Sequence, residues 1–277
     1  MKIKPICRLR YLLLVITLLL LGPTILVARQ VNTTDTAGFF TSFDGIKIYY
    51  EVTGNGRPVL LVHGFIVDGE SWKKTFLYDG LLRAGFKVIV LDMRGNGKSD
   101  KPHDPEAYAK DAEAKDIIGL MQMLGIDQYN VVGYSRGAII TARLLVLDKR
   151  ISKAVMGGMG VDFTNPEWPK RIMFYKALNG EPVKELETMV QRIKDSGLDQ
   201  RALACMQKEQ PSTSKEEFAT VKQPVLVVCG DKDEDNGSSL ALVKLIPKGI
   251  HATVPGDHGS ASRSKEFSEK VIAFLSN

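Results

Sequence analysis

From Phe39 onward the chain alternates between short, almost unbroken apolar runs and longer stretches in which apolar residues return every three or four positions. The runs are KIYYEV (47–52), PVLLVHG (58–64), FKVIVLD (86–92), YNVVGY (129–134), ISKAVMGG (151–158), PVLVVCG (224–230) and HATVPG (251–256). Several show no polar alternation, the pattern of parallel strands covered on both faces. Between them AYAKDAEAKDIIGLMQMLG (107–125), GAIITARLLVLD (137–148) and SKEFSEKVIAFLSN (264–277) place apolar residues at helical spacing. Strand and helix in turn predict a doubly wound α/β fold around a mostly parallel, eight-stranded sheet. Asp44-Gly45, set between apolar runs, predicts a tight turn, so the first two strands should form an antiparallel hairpin.

The alternation lapses between Phe163 and Glu217, where no run reads as a strand. Instead PKRIMFYKAL (169–178), PVKELETMVQRIKDS (182–196) and DQRALACMQKE (199–209) read as helices separated by Pro and Gly. A helical cap of about 163–217 is therefore expected between the sixth and seventh strands. It carries nine basic and nine acidic residues, which gives no sign of charge steering. An apolar cover over a pocket is the expectation, with Trp168, Met173, Phe174 and Met189 as candidates to face a substrate. Packing of the same side chains on the rim of the sheet is the alternative.

The first 29 residues stand apart, because basic residues precede the apolar stretch YLLLVITLLLLGPTILVA (11–28). The pattern is that of a signal peptide, its core ended by Gly22-Pro23 and with Ala28 before a cleavage site, or of an uncleaved N-terminal membrane anchor. Either one exports the domain that follows, to the periplasm, the medium or a membrane surface. Residues 30–38 read as a linker and 39–277 as the folded domain. The formal charge of +5 is accounted for by Lys2, Lys4, Arg8, Arg10 and Arg29, since residues 30–277 sum to zero. A nucleic-acid partner is thus not implied. Apart from Cys7, only Cys205 and Cys229 are present, which is no disulfide framework; both are expected to be free, buried thiols.

In an open α/β sheet, sites form beyond the carboxyl ends of the strands. Ser135 follows the run YNVVGY with Gly133 and Gly137 on either side, and the glycines allow a sharp turn that leaves the hydroxyl exposed. A serine that merely caps the next helix accounts for the serine but not for both glycines. A serine hydroxyl becomes a nucleophile when a base takes its proton. Of the four histidines, His258 follows HATVPG and His63 ends PVLLVHG, so both stand at the correct edge. His251 opens its strand, and His103 falls in a solvated loop. The base needs a carboxylate to fix its tautomer, and the loop GDKDED offers Asp231, Asp233 and Asp235, although such a loop is also an ordinary turn.

HGF (63–65), LDMRGNGKSD (91–100), GYSRG (133–137), GDKD (230–233) and GDHG (256–259), in this order and at this spacing, resemble the α/β-hydrolase fold superfamily. Within it the chain is similar to the single-domain serine esterase and haloperoxidase-like branch. The resemblance covers nearly all of 39–277 except the helical insertion, which matches the family's cap in position alone. It implies the chain order nucleophile, acid, base: Ser135, then Asp233 as the second aspartate of GDxD, then His258. Asp162, after the sixth strand, is the alternative acid. The resemblance further implies an oxyanion hole from the backbone N–H groups of Phe65 and Arg136, a structural His63, and loop-bracing roles for Asp92 and Arg94. Arg136 departs from the apolar residue or Gln usual at its position, so it either tunes the mouth of the pocket or pairs with a neighbouring acid. Relatives that open epoxides or haloalkanes carry Asp at the elbow, and Ser135 argues against that chemistry.

The expected function is a serine hydrolase that cleaves a carboxylic ester or related acyl bond of a small-molecule substrate through an acyl-enzyme on Ser135. Perhydrolysis and carbon–carbon bond cleavage use the same groups. A binding or signalling module that kept the fold without the chemistry is the alternative from another class. No metal or other cofactor is expected, since no His and Cys cluster has zinc-site spacing and GNGKS lacks the full P-loop pattern.

Overall fold

The computed structural model describes residues 35–277. The expected signal peptide or anchor and the start of the linker lie outside the described residues; among the described residues no helix is long and apolar enough to cross a membrane. In chain order the elements are β1 (Thr36–Thr41), β2 (Lys47–Thr53), β3 (Arg57–Val62), α1 (Glu70–Lys73), α2 (Phe76–Arg83), β4 (Phe86–Leu91), α3 (Ala112–Met123) and β5 (Tyr129–Tyr134). There follow α4 (Arg136–Leu147), β6 (Ile151–Gly157), α5 (Pro169–Leu178), α6 (Glu187–Asp195), α7 (Gln200–Lys208) and α8 (Lys215–Ala219). The chain closes with β7 (Val225–Gly230), α9 (Ser239–Val243), β8 (Gly249–Val254) and α10 (Lys265–Ser276).

The strands form one eight-stranded sheet in the order β1-β2-β4-β3-β5-β6-β7-β8. β1 pairs antiparallel with β2, and β2 with β4; every other pair is parallel. The opening hairpin is closed by Ser42 N–H donating to Ile46 O at 2.8 Å, with Gly45 at φ 87° in the turn. β1 begins at Thr36, inside the stretch expected to be linker. Its first residues, Thr36-Ala37-Gly38, carry no apolar signal; the strand exists because its backbone pairs with β2.

Along β3 the side chains alternate between two layers. Leu60 and Val62 join a core with Ile117 and Leu120 of α3 and Ile139 of α4, whereas Val59 and Leu61 pack with Leu77 of α2 and Phe267 and Val271 of α10. Both faces are buried, which is why the strand reads as a continuous apolar run. α3 starts later than the helical pattern because Lys110 (φ 56°) and Asp111 (φ 61°) adopt left-handed backbone just before it. The four short helices α1, α2, α8 and α9 were not part of the expectation; α2 is set by Thr75, whose hydroxyl accepts from Tyr78 N–H at 3.3 Å.

Between β6 and β7 there are helices alone, α5 to α8, with α5 on the residues expected of it. Leu178, Ile193, Ala202, Leu203 and Met206 build a small core of their own with Tyr108. The insertion runs to Ala219, the end of α8, slightly past the expected boundary.

Candidate active site

β5 ends at Tyr134 and α4 begins at Arg136, so the chain reverses on Ser135, whose φ of 56° and ψ of −122° are unusual for an L-residue. Such a conformation costs about 1–3 kcal/mol and persists where the surroundings impose it. The flanking glycines show how. A Cβ on Gly133 would stand 2.1 Å from the Gly137 carbonyl oxygen, and one on Gly137 would stand 2.1 Å from that of Val62. Backbone therefore meets backbone where α4 starts against the ends of β5 and β3, and the serine is left at the apex. Ser135 occupies the N-cap position of α4, yet its hydroxyl caps nothing.

That hydroxyl lies 2.9 Å from His258 Nε2. Nδ1 of the same ring lies 3.0 and 3.2 Å from the two carboxylate oxygens of Asp233. With the proton on Nδ1, the ring donates to the carboxylate and its Nε2 accepts from the serine. The Asp233 side chain is 2% exposed and that of His258 27%, so the acid is sealed away while the base reaches the pocket. The other aspartates are occupied elsewhere. Asp231 accepts from Gly256 N–H at 2.8 Å, Asp257 accepts from Ser260, and the Asp162 carboxylate lies against Gly237. Asp233, Asp235 and His258 are the one trio among the described residues with ligand atoms close enough to share a metal ion. Asp233 and His258 already bond each other through Nδ1, with the Asp235 carboxylate beside them.

His63 is no competitor for the base. It is 1% exposed, Nε2 accepts from Met93 N–H at 2.9 Å, and Nδ1 donates to Gly64 O at 2.7 Å. Burial pushes its pKa below the ordinary histidine value and keeps the ring neutral. The loop after it is held by Asn96, whose amide donates to the carbonyls of Phe65 (2.8 Å) and Val67 (3.0 Å). Asp92 accepts from Gly69 N–H at 2.8 Å and Lys98 N–H at 2.7 Å. Arg94 is bound by the carboxylates of Asp44 and Asp116, tying the first hairpin and α3 together. The backbone N–H groups of Phe65 and Arg136, the expected oxyanion donors, have no acceptor among the described residues. The Arg136 side chain does pair with an acid: its guanidinium grips Glu113 of α3 through both carboxylate oxygens, with both residues buried.

A cavity of about 430 Å³ opens over Ser135, with Ile66 and Val67 on one side and Trp168, Phe174 and Met189 of the insertion on another. Trp168 is 8% exposed and also packs into the main core, so it both roofs the pocket and holds the roof to the sheet. The Phe174 ring meets Phe65 edge-on at 6.1 Å. Met173 is not part of the wall: the lining positions 168, 171 and 174 follow helical spacing and leave residue 173 off that face. Several groups carried no sequence signal. Tyr134 donates its hydroxyl to the His258 carbonyl at 2.8 Å and stacks its ring 5.5 Å from the imidazole. Asn236, which donates to Gly158 O at 3.0 Å, stands 3.5 Å from His258 Nδ1. His103, expected in solvent, meets Asp199 at 2.8 Å while staying exposed.

A mostly parallel eight-stranded sheet with helices on both faces and a serine at a glycine-flanked strand-to-helix turn are the architecture of the α/β-hydrolase fold. The family model for the alpha/beta hydrolase fold matches residues 57–180, and the chain is a protein of that fold. It is similar to the non-heme haloperoxidase of Rhodococcus erythropolis, with 34% identity over 125 residues, 43% of each chain. It is also similar to epoxide hydrolase 2 of Siraitia grosvenorii, with 36% identity over 99 residues, 36% of this chain and 31% of the relative. These matches span less than half the length of the curated relatives. The crystal structure of a bromoperoxidase from Bacillus anthracis shares the fold, with a TM-score of 0.73 at 24% identity, over 87% of this chain and 100% of that one.

Proposed function

We propose that the protein hydrolyses a carboxylic ester or related acyl bond through an acyl-enzyme on Ser135. The observation that carries this reading is the unbroken line of hydrogen bonds from Ser135 Oγ through His258 to Asp233. As Oγ bonds to the acyl carbon, its proton passes to His258 Nε2, and the N–H groups of Phe65 and Arg136 receive the negative carbonyl oxygen. The bond to the alcohol oxygen then breaks and His258 returns the proton to that oxygen. Water adds to the acyl carbon in the second half, gives a proton to Nε2, and the acid leaves as Ser135 regains its own proton. Asp233 holds the Nδ1 proton throughout and stabilises the imidazolium. Ser135 favours acyl transfer over epoxide opening, for which the resemblance implies an aspartate at the elbow. The haloperoxidase relatives favour one variation, in which hydrogen peroxide replaces water on the same acyl-enzyme and a peracid leaves.

The test is labelling by a fluorophosphonate probe together with turnover of p-nitrophenyl esters of graded length. Ser135→Ala is expected to abolish both with its melting temperature nearly unchanged. Asp233→Asn should lose about four orders of magnitude in turnover, while Asp162→Asn stays within roughly tenfold of the unmodified protein, as expected of a group that acts on neither serine nor histidine. Undiminished turnover in Ser135→Ala would end the reading. A protein that neither labels nor turns over any ester would instead fit the non-catalytic binding module.

A further inference from the structure

The insertion balances its charges, but the pocket it helps to form does not. Four cationic residues line the cavity: Arg136, Lys170, Arg171 and Arg263. Two of them are answered locally. Arg136 is neutralised by Glu113, and Lys170 donates to the carbonyl of Asp235 at 2.7 Å with that residue's carboxylate 3.9 Å away. Arg171 and Arg263 have no carboxylate partner among the described residues. Arg171 donates to the carbonyls of Gln207 (3.2 Å), Lys208 (2.7 Å) and Pro166 (2.9 Å), and its Nε–H has no acceptor among the described residues. Three carbonyl dipoles orient the guanidinium without cancelling its charge. On α5 this residue sits one helical turn from Trp168 and one from Phe174, so the cation is set between the two aromatic groups of the wall. Arg263 also lines the cavity, from the single turn Ala261–Arg263 that follows His258.

Low-dielectric walls strengthen the field of an unpaired charge inside a cleft, and a cleft lined by one sign of charge concentrates ligands of the other. Guanidinium groups suit carboxylates in particular: the Arg263 fork is free to meet both oxygens, whereas Arg171, with three of its N–H donors on carbonyls, adds its charge and a remaining Nη2 donor. We propose that the substrate is an ester that keeps a free carboxylate elsewhere in the molecule, as a monoester of a dicarboxylic acid does, and that Arg171 and Arg263 receive that carboxylate while the ester carbonyl faces Ser135. This inference rests on the acyl-transfer reading of Ser135, and it adds the substrate class. The balanced charge of the insertion hid the site, because Arg263 belongs to another part of the chain and none of the insertion's nine acids lines the cavity.

Binding to Ser135→Ala full-length protein tests this independently of turnover. Calorimetry at low ionic strength compares p-nitrophenyl hydrogen adipate with its primary-amide isostere, which has the same length and no charge. The charged ester is expected to bind about tenfold more tightly, a difference of about 1.4 kcal/mol, and the preference should shrink as salt is added. Arg263→Gln and Arg171→Gln should each bring the ratio of the two affinities towards one. Arg171 ties together three carbonyls, so its variant is interpreted only with an unchanged melting transition; Arg263 lies on an exposed turn and carries the test by itself. Equal affinity for the two esters at low salt, or a ratio untouched by Arg263→Gln, overturns the proposal. Turnover of both esters by the unmodified protein, measured in parallel, separates the two readings: absence of hydrolysis counts against the acyl-enzyme, whereas the affinity ratio alone decides the carboxylate site.

Discussion

His63 shows how one buried side chain can set the pH dependence of stability. Both of its ring nitrogens are engaged in the neutral form, and burial holds its pKa below the ordinary histidine value of about 6.5. In the unfolded chain the ring takes up a proton near 6.5, while in the fold it does not. Stability from this group is thus complete above that pH and declines as pH falls below it, by at most about 1.4 kcal/mol per pH unit until the folded ring is protonated as well. Melting temperatures between pH 8 and 5 should fall on the acid side before the carboxylates begin to titrate, and His63→Asn should show a shallower fall from a lower plateau. Identical slopes for the two proteins would remove the explanation. At this scale the sequence was legible where a residue ends a strand, as Ser135 and His258 do. It was not legible where the partner is distant: Tyr134 meets His258 across 124 positions, Asn96 meets Phe65 across 31, and Arg136 meets Glu113 across 23. Choosing Asp233 from its loop needed the family pattern, because its neighbours Asp231 and Asp235 have the same chemistry and only the course of the turn decides which one faces the ring.

α5 contributes its own face to both chemistry and packing, since Trp168 at its start lines the cavity and enters the main core while Phe174 lies on Phe65. Phe174→Ala should therefore shift acyl-length preference while leaving a small acetate ester little affected. Trp168→Ala should do the same and in addition destabilise the protein by about 3–5 kcal/mol, as removal of a large buried side chain does. A kinetic series on esters of two to eight carbons, with thermal melts, checks both. Equal loss on every ester would assign the two rings to packing alone. The long helices were legible from their periodicity. α2 and α9 were not, because eight and five residues give too few turns for a periodic signal, and their positions depend on the caps Thr75 and Ser238 and on the sheet beneath.

For the whole molecule, the order of strands and helices along the chain was readable, and with it the edge at which the site forms. The sheet order was less so: β3 lies between β4 and β5, an exchange that depends on crossovers rather than on any single run. The side chains that unite α5, α6 and α7 form a separate small core, which meets the body of the domain at Tyr108, at Phe65 and through Trp168. A unit with its own modest core opens at a lower free energy than the body that carries it. Hydrogen exchange should accordingly fall into two tiers, with amides of residues 169–208 trading protons at least roughly tenfold faster than those of β3, β5 and β6; uniform protection across both would contradict it. The roof over Ser135 then works as a door on its own hinge energy. If the protein acts on esters as proposed, bulky ones would wait for it to open while small ones slip past, so turnover of large substrates should rise more steeply with temperature than turnover of acetate, although the bond being broken is the same.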